Sequence, residues 1–535
     1  MNLYKKLFGL LFLLLFFGVA KEVNAQTLPV GLLQNIEDTW RRQQLLGNDS
    51  SNTSYMIRPL SLNGGNVVLD RDKNNNVTDL NSFRKHLFQS DDGMINVFLL
   101  PIAVQQQING HNSFGMNDNS MISAKGYQVM VSGGLYATVG PLSIQLRPEY
   151  VYARNSYFNE LESVGNDLYF AYPKLVFNKI DNPSIHGEDK RYRKGSWGQS
   201  SIRLNVKSFS FGLSNENLWW GPGKKNSLIM SNNAPGFKHL TLNTTRPVDI
   251  FIGTLEAQVI AGRLEASNVD LPRNQRNVAE YTYVEKPKDS RYIAGFTFAY
   301  QPKWVPNLFL GYDRVSTGYD FGSNTVLVYY SGSARWVMPE SKAEAYVQYG
   351  INNHTGNVKD SRAYIVGFNK LLPLVNKDQF IEVGVEFTQL ETPRNNSYKI
   401  APSWYTDDAV VHGYTNKGEI IGAGIGPGSN MQSLDVSWVK GLKKIGLSFD
   451  RILNNNDFFY NAGSYISEPR RHWVDLAFSS KLNWNFGKII FNGEFTYIKS
   501  LNYHYFLIDH GQFYWDWPKQ DQGNLHGKLG MIYNF

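Results

Sequence analysis

From Asn524 to Phe535 the chain alternates strictly: Leu525, Gly527, Leu529, Met531, Tyr533 and Phe535 fall on one side, and His526, Lys528, Gly530, Ile532 and Asn534 on the other. Side chains of a strand alternate between two faces, so one face is apolar and ends in aromatics while the other is mostly polar. A strand of about ten residues or more with one greasy and one wet face fits a transmembrane β-barrel, and an aromatic last strand is how such a barrel closes. A water-soluble protein rarely leaves such a strand at a terminus, because its free edge invites pairing with other chains. The expected fold is therefore all-β: a transmembrane antiparallel β-barrel.

The N-terminus reads as a secretory signal over residues 1–25. Lys5 and Lys6 precede the apolar run Leu7 to Val19, and Val23-Asn24-Ala25 offers small residues before Gln26. That run is shorter than the roughly 20 residues of a membrane-spanning helix, and no later stretch approaches that length. Membrane passage therefore rests on strands. The sequence has no cysteine, which rules out disulfides, thiolate metal sites and a cysteine nucleophile. Its 31 Tyr and 32 Phe suit the aromatic girdles of a barrel. A mean hydropathy of −0.35 agrees with strands whose second face meets a wet lumen. The formal charge of +7 is small for 535 residues and gives no pointer to nucleic acid.

Residues 26–93 differ from the rest and are expected to form a small, partly helical periplasmic segment, with the barrel over 94–535. After Thr27, Pro29 suits a first helical turn, and Leu32, Leu33, Ile36 and Trp40 share a face before Gly47. A second apolar spacing appears at Leu80, Phe83 and Leu87. Asp70-Arg71-Asp72-Lys73-Asn74 resembles the start of a calcium loop but lacks its sixth-position glycine and acidic twelfth ligand, so it reads as a solvated turn.

From Ile95 onward amphipathic strands follow one another. Ile202, Leu204 and Val206 are expected outside with Arg203, Asn205 and Lys207 inside. Ile381, Val383, Val385 and Phe387 oppose Glu382, Gly384, Glu386 and Thr388; Ile489, Phe491, Phe495 and Tyr497 oppose Lys488, Asn492, Glu494 and Thr496. A Lys or Arg facing lipid at mid-depth costs about 2–4 kcal/mol, so the charged face marks the lumen. Short turns, expected on the periplasmic side, fall at Val139–Pro141, Pro302–Pro306, Met338–Ser341, Lys440–Lys443 and Asn483–Asn485, and the long, extracellular loops include 268–290, 454–470 and 501–523. Sixteen strands read clearly. Segments 156–199, 214–253 and 392–430 can each hold a further strand pair or a loop folded inward, and one extra pair gives the preferred count of eighteen.

The most distinctive stretch is Asn217-Leu218-Trp219-Trp220-Gly221-Pro222-Gly223, followed by Ser227-Leu228-Ile229-Met230-Ser231-Asn232-Asn233-Ala234-Pro235. Gly-Pro-Gly after paired tryptophans cannot continue a strand, so the backbone must turn there. With Gly253-Thr254-Leu255-Glu256 and Gly262-Arg263-Leu264-Glu265, this stretch resembles the signature of the Wzi family of outer-membrane capsule-assembly proteins. Trp404-Tyr405-Thr406, Gly413-Tyr414-Thr415, the run Gly422 to Ser429, and Ile57-Arg58-Pro59-Leu60 are similar to the Bacteroidetes-type version of that family. The resemblance implies an eighteen-stranded barrel with a periplasmic helical part, acting as a lectin that holds capsular polysaccharide at the cell surface. Lys224-Lys225 after Gly223 departs from the enterobacterial pattern, so the identity of the polysaccharide does not carry over.

Two roles fit Trp219 and Trp220: plugging the lumen or edging the membrane interface, and stacking on sugar rings with Asn232 and Asn233 bonding hydroxyls. Tyr460 and Tyr465 in one outer loop, and Tyr503, Tyr505, Tyr514, Trp515 and Trp517 in another, are sugar platforms or an outer girdle. The candidate saccharide-binding residues are thus Trp219, Trp220, Asn232, Asn233, Tyr460, Tyr503 and Trp515. Glu344, Glu382, Glu386 and Glu494 can in principle form an acid/base pair for glycoside cleavage, but Lys207, Lys342 and Lys528 are expected in the same lumen, which makes a neutralising charge lattice the simpler reading. No serine-hydrolase, phosphate-loop or zinc spacing appears, so neither enzyme nor cofactor is expected. The expected partners are an exported polysaccharide and outer-membrane lipid. The alternatives are a porin-like channel for sugars or other solutes and a surface enzyme acting on lipid or glycan.

Overall fold

The computed structural model describes residues 26–32, 34–49, 51–62, 70–71, 77–78, 84–156, 179–182, 191–269, 285–322, 325–353, 361–376, 378–392, 403–461, 472–503 and 521–535. Eighteen antiparallel strands close into one barrel. They are β1 (Ile95–Asn109), β2 (Gly126–Val139), β3 (Leu142–Leu146 continuing as Glu149–Ala153), β4 (Tyr192–Ser196 and Ser201–Val206), β5 (Phe209–Ser214) and β6 (His239–Thr244 and Val248–Ile250). Then follow β7 (Gly253–Leu264), β8 (Arg291–Pro302), β9 (Leu308–Gly318), β10 (Leu327–Met338), β11 (Ala343–Asn353) and β12 (Ser361–Pro373). The last six are β13 (Phe380–Gln389), β14 (Asn430–Lys440), β15 (Lys443–Leu453), β16 (Val474–Phe486), β17 (Ile489–Leu501) and β18 (Gln522–Tyr533). The cylinder shuts where β18 pairs with β1, from Tyr533 opposite Ile102 to His526 opposite Asn109.

The period-two expectations hold along β13, β17 and β18: Phe387, Phe495, Tyr497, Leu525 and Leu529 are exposed on the outside, and Glu382, Glu386, Thr496 and His526 are buried within. Backbone hydrogen bonding from strand to strand leaves no free edge in the closed cylinder, which is what lets strands cross lipid. Two lysines expected in the lumen are elsewhere. Lys207 and Lys342 sit in the short turns β4–β5 and β10–β11 with φ of 53° and 50°, where the chain reverses and the in–out alternation no longer applies. The turn expected at Asn483–Asn485 lies further on, between Phe486 and Ile489, with Gly487 at φ 54°. Asn483–Asn485 instead extend β16 and pair with Ile490–Asn492.

The three ambiguous segments resolve differently. The first supplies the start of β4, the second supplies β6 after an inward excursion, and the third adds no barrel strand and folds inward among its described residues. The lumen is consequently filled rather than simply wet. At the short-turn end lies helix α1 (Gln34–Leu45). It begins later than Pro29, because Thr27–Leu28 pair as a short strand with Leu60–Ser61. Thr39 Oγ1 and Arg42 Nη2 reach the Gly441 carbonyl in the β14–β15 turn at 3.5 and 2.9 Å, and Trp40 packs in one cluster with Leu442, Ile490 and Ile532. Leu87, expected in a second helical spacing, lies in the exposed strand Lys85–Gln89 paired with β1, while Leu80 and Phe83 lie outside the described residues. In the calcium-like stretch Asp70–Arg71 pair antiparallel with Val77–Thr78, and Asp72–Asn74 lie outside the described residues.

Candidate functional site

The tryptophan stretch, residues 214–239 between β5 and β6, dives into the barrel. Trp219–Trp220 form a short strand against Ile57–Arg58, and both indoles are buried. Trp220 Nε1 donates to Gln258 Oε1 at 2.8 Å, and the Arg58 guanidinium lies 5.2 Å from the Trp219 ring centroid. The turn that follows needs glycine. Gly221 has φ 129°, and a Cβ there would meet the Gln348 amide at 2.7 Å. Gln348 in turn donates to the Trp220 carbonyl at 3.2 Å and accepts from Leu228 N at 3.1 Å, so it clamps both arms of the turn.

Beyond the turn, three consecutive backbone amides close around one carboxylate. Lys224 N, Lys225 N and Asn226 N donate to Glu386 at 2.7, 3.1 and 2.9 Å, and Tyr346 Oη donates to the same carboxylate at 2.8 Å. Successive N–H groups in such a concavity suit an anion, here one supplied by the barrel wall. Lys224 Nζ pairs with Glu382 at 3.0 Å and Lys225 Nζ with Asp450 at 2.9 Å. The lysines that depart from the enterobacterial pattern thus anchor this segment to β13 and β15.

The second distinctive stretch completes the same body. Tyr405 Oη donates to the Leu228 carbonyl at 2.7 Å, Ser231 N to the Ile421 carbonyl at 2.8 Å, and Asn416 Nδ2 to the Pro235 carbonyl at 2.9 Å. Trp404, Tyr405 and Tyr414 surround Tyr329 of β10 at ring-centroid distances of 5.3, 6.0 and 4.8 Å. Trp220, Leu228, Met230 and Phe237 from the first stretch join Ile420, Ile421 and Ile425 from the second in one buried apolar cluster, with wall residues such as Ile260 and Val315. The two stretches form one plug.

Of the residues expected to touch sugar, Trp219, Trp220, Asn232 and Asn233 are gathered inside this plug. Asn232 Nδ2 donates to the Asn117 carbonyl at 2.8 Å and Asn233 Nδ2 to the Ile420 carbonyl at 3.0 Å, so both amides make structural contacts. Tyr460 lies far off in sequence on a short helix, α2 (Asn456–Asn461), with its hydroxyl 3.2 Å from His472 Nε2. Tyr503 is buried edge-on to Trp473 at 5.1 Å. Tyr465, Tyr505, Tyr514, Trp515 and Trp517 lie outside the described residues.

A cavity of about 370 Å³ remains between the plug, α1 and the wall from β12 to β18. Its charges are cross-linked: Lys481 with Asp435 at 2.7 Å, Lys444 with Asp435 and Glu382 at 3.4 and 3.5 Å, and Lys528 with Asp118. This is the neutralising lattice expected from the inward glutamates. Sequence reasoning missed Asp435, Asp450, Lys444 and Lys481, although their inward positions on β14–β16 follow the same alternation. Glu344 belongs to a separate buried network at the short-turn end, held by Arg41 Nε at 2.9 Å and Arg335 Nη2 at 2.7 Å. On the plug, burial and the nearby charges of Asp118 and Asp181 push the Glu419 carboxyl up to about 8, partly offset by a hydrogen bond from the Ser123 backbone.

Residues 108–317 match the model of the capsule assembly protein Wzi family. Among solved structures, Wzi of Escherichia coli, an outer membrane protein involved in group 1 capsule assembly and a carbohydrate-binding β-barrel, is 11% identical with a TM-score of 0.59; the match covers 96% of this chain and 100% of that one. OccAB2 of Acinetobacter baumannii is 10% identical over 81% of this chain and 97% of its own, with a TM-score of 0.42. A BenF-like porin from Pseudomonas fluorescens is 7% identical over 84% of this chain and 100% of its own, also with a TM-score of 0.42. No curated protein sequence matches. The likeness to Escherichia coli Wzi concerns the fold, and the stretch that the family model matches carries β2 to β8 and the whole tryptophan half of the plug. On that match residues 108–317 of this outer-membrane-type barrel are similar to the Wzi capsule assembly family.

Proposed function

We propose that the protein is a non-enzymatic, lectin-like component of the outer membrane that anchors or organises an exported polysaccharide at the cell surface. Residues 1–25 serve as the export signal, the short-turn end with residues 26–93 faces the periplasm, and the long loops face outward. The observation that carries the reading is the family match together with a lumen filled by two inward-folded segments and a helix. A filled barrel is suited to holding a ligand rather than passing solutes, and ion pairs and hydrogen bonds engage Glu344, Glu382 and Glu386, three of the four inward glutamates considered for glycoside cleavage. The binding surface includes Tyr460 of the outer loops, which is exposed and whose aromatic ring suits a sugar; Tyr503 is buried against Trp473 and supports that surface from beneath.

Deleting the gene should release polysaccharide into the medium while its synthesis continues. Cells that keep a fully attached coat would reject the proposal. The porin reading differs in one measurable respect: purified protein in a planar bilayer is expected to stay silent, whereas steady large conductance would favour a channel.

A further inference from the structure

The cavity inside the barrel has a chemistry of its own. Six polar side-chain atoms of residues on its wall are buried without a hydrogen-bond partner among the described residues: Asn35 Nδ2 on α1, Trp219 Nε1 on the plug, Asn117 Oδ1 on the β1–β2 loop, Asn369 Oδ1 on β12, Ser433 Oγ on β14 and Asn492 Oδ1 on β17. Two are donors, three are acceptors, and the Ser433 hydroxyl can act as either. Buried polar atoms are normally satisfied, so a cluster of orphans of both kinds around one space marks a place for a guest that both donates and accepts. Phe114 and Trp219 add aromatic surface to the same wall.

Charge narrows the guest further. Every lysine on the wall is within ion-pair distance of a carboxylate among the described residues, as set out above. No lysine is left over to meet an anion. Asp38 and Glu494 face the space with no lysine or arginine within ion-pair distance among the described residues, so an acidic guest would be repelled. A volume of about 370 Å³ sits at the small end of the roughly 300–1,000 Å³ typical of ligand sites, which suits one or two sugar units and not a polymer strand.

We propose that this luminal cavity is a saccharide site for an uncharged sugar unit, with Trp219 and Asn35 donating to hydroxyl oxygens and Asn117 and Asn492 accepting from hydroxyl groups. The inference rests on the carbohydrate-binding reading above and places a subsite within the barrel, apart from the outer loops. A sugar supplies hydroxyls that act both ways and a C–H face for the indole, which matches the wall group by group.

Calorimetric titration of the full-length purified barrel tests it, with the methyl glycosides of glucose, galactose, mannose and N-acetylglucosamine, and with galacturonate as the acidic probe. At least one neutral glycoside should bind saturably and galacturonate at least about tenfold more weakly. Trp219→Phe keeps a ring over Arg58 but removes the N–H and should weaken binding about tenfold, the equivalent of one lost hydrogen bond. Asn492→Ala should act alike, and the lipid-facing control Leu447→Ala on β15 should leave affinity unchanged, with all thermal midpoints preserved. Failure of every neutral glycoside to bind overturns the proposal. So does binding that survives both luminal substitutions, or galacturonate binding as tightly as any neutral sugar. Coat retention in cells is a separate readout: cells without the gene that keep their coat, while glycosides still titrate into the lumen, would remove the surface role and leave this site standing.

Discussion

Glu386 shows how much one side chain can decide. Its carboxylate closes the amide concavity of Lys224–Asn226 and accepts from Tyr346. Glu386→Gln keeps the shape and removes the charge, placing an NH₂ against donors. Hydrogen bonds to a charged group contribute about 1.5–3 kcal/mol, so the thermal midpoint in detergent should fall and exchange of the Lys224–Asn226 amides should accelerate. Glu419 gives a pH dependence. Its folded value of about 8 lies above the ordinary 4.5, so its contribution is fully present below about 4.5 and declines as pH rises toward about 8. Thermal unfolding of the intact protein should show that decline, and Glu419→Gln should flatten it. Unaltered slopes in the variant would assign the dependence to other groups.

At the level of elements, α1 is a helix with polar groups facing several ways that is nevertheless enclosed, which is possible because the wall offers partners. Arg41 meets Glu344 and the Pro222 carbonyl, Gln44 meets Arg335, and Glu37 pairs with Arg58. Glu344→Gln leaves Arg41 and Arg335 buried without their shared carboxylate, a loss of about 3–5 kcal/mol for a broken buried pair. Limited proteolysis should then cut within residues 34–45 well before the barrel strands, and equal protection in the variant would contradict the assignment. This helix was only half legible in the sequence. The apolar face through Ile36 and Trp40 was visible, but the start was misread because Thr27–Leu28 have a strand partner more than thirty residues away. Asn483-Trp484-Asn485 looked like a turn by composition, yet Asn483 and Asn485 are on the inward face of β16 and Trp484 stacks outside at 6.4 Å from Trp438.

For the whole molecule, the strands with one lipid-facing side were the most legible part, because a slip of one residue would drive charges such as Glu382 or Lys528 into hydrocarbon. What fills the lumen was not legible. Alternation along a wall strand reports that its inner face is polar, and does not say whether water or another segment lies against it. Nor could spacing reveal that the stretches at 217–235 and 403–428 meet, since each looks locally like an irregular loop. The plug has a measurable consequence: the intact barrel should conduct poorly, and a variant deleted for residues 26–62 and carrying Glu386→Gln should show frequent large openings. Silence in both would mean that the 403–428 half seals the lumen alone.

Because those two halves lie nearly two hundred positions apart yet share hydrogen bonds and a core, neither can drift by itself. Chimeras exchanging a single half with a relative should assemble poorly, while exchanging both should restore assembly, so natural variants ought to inherit them as a matched set.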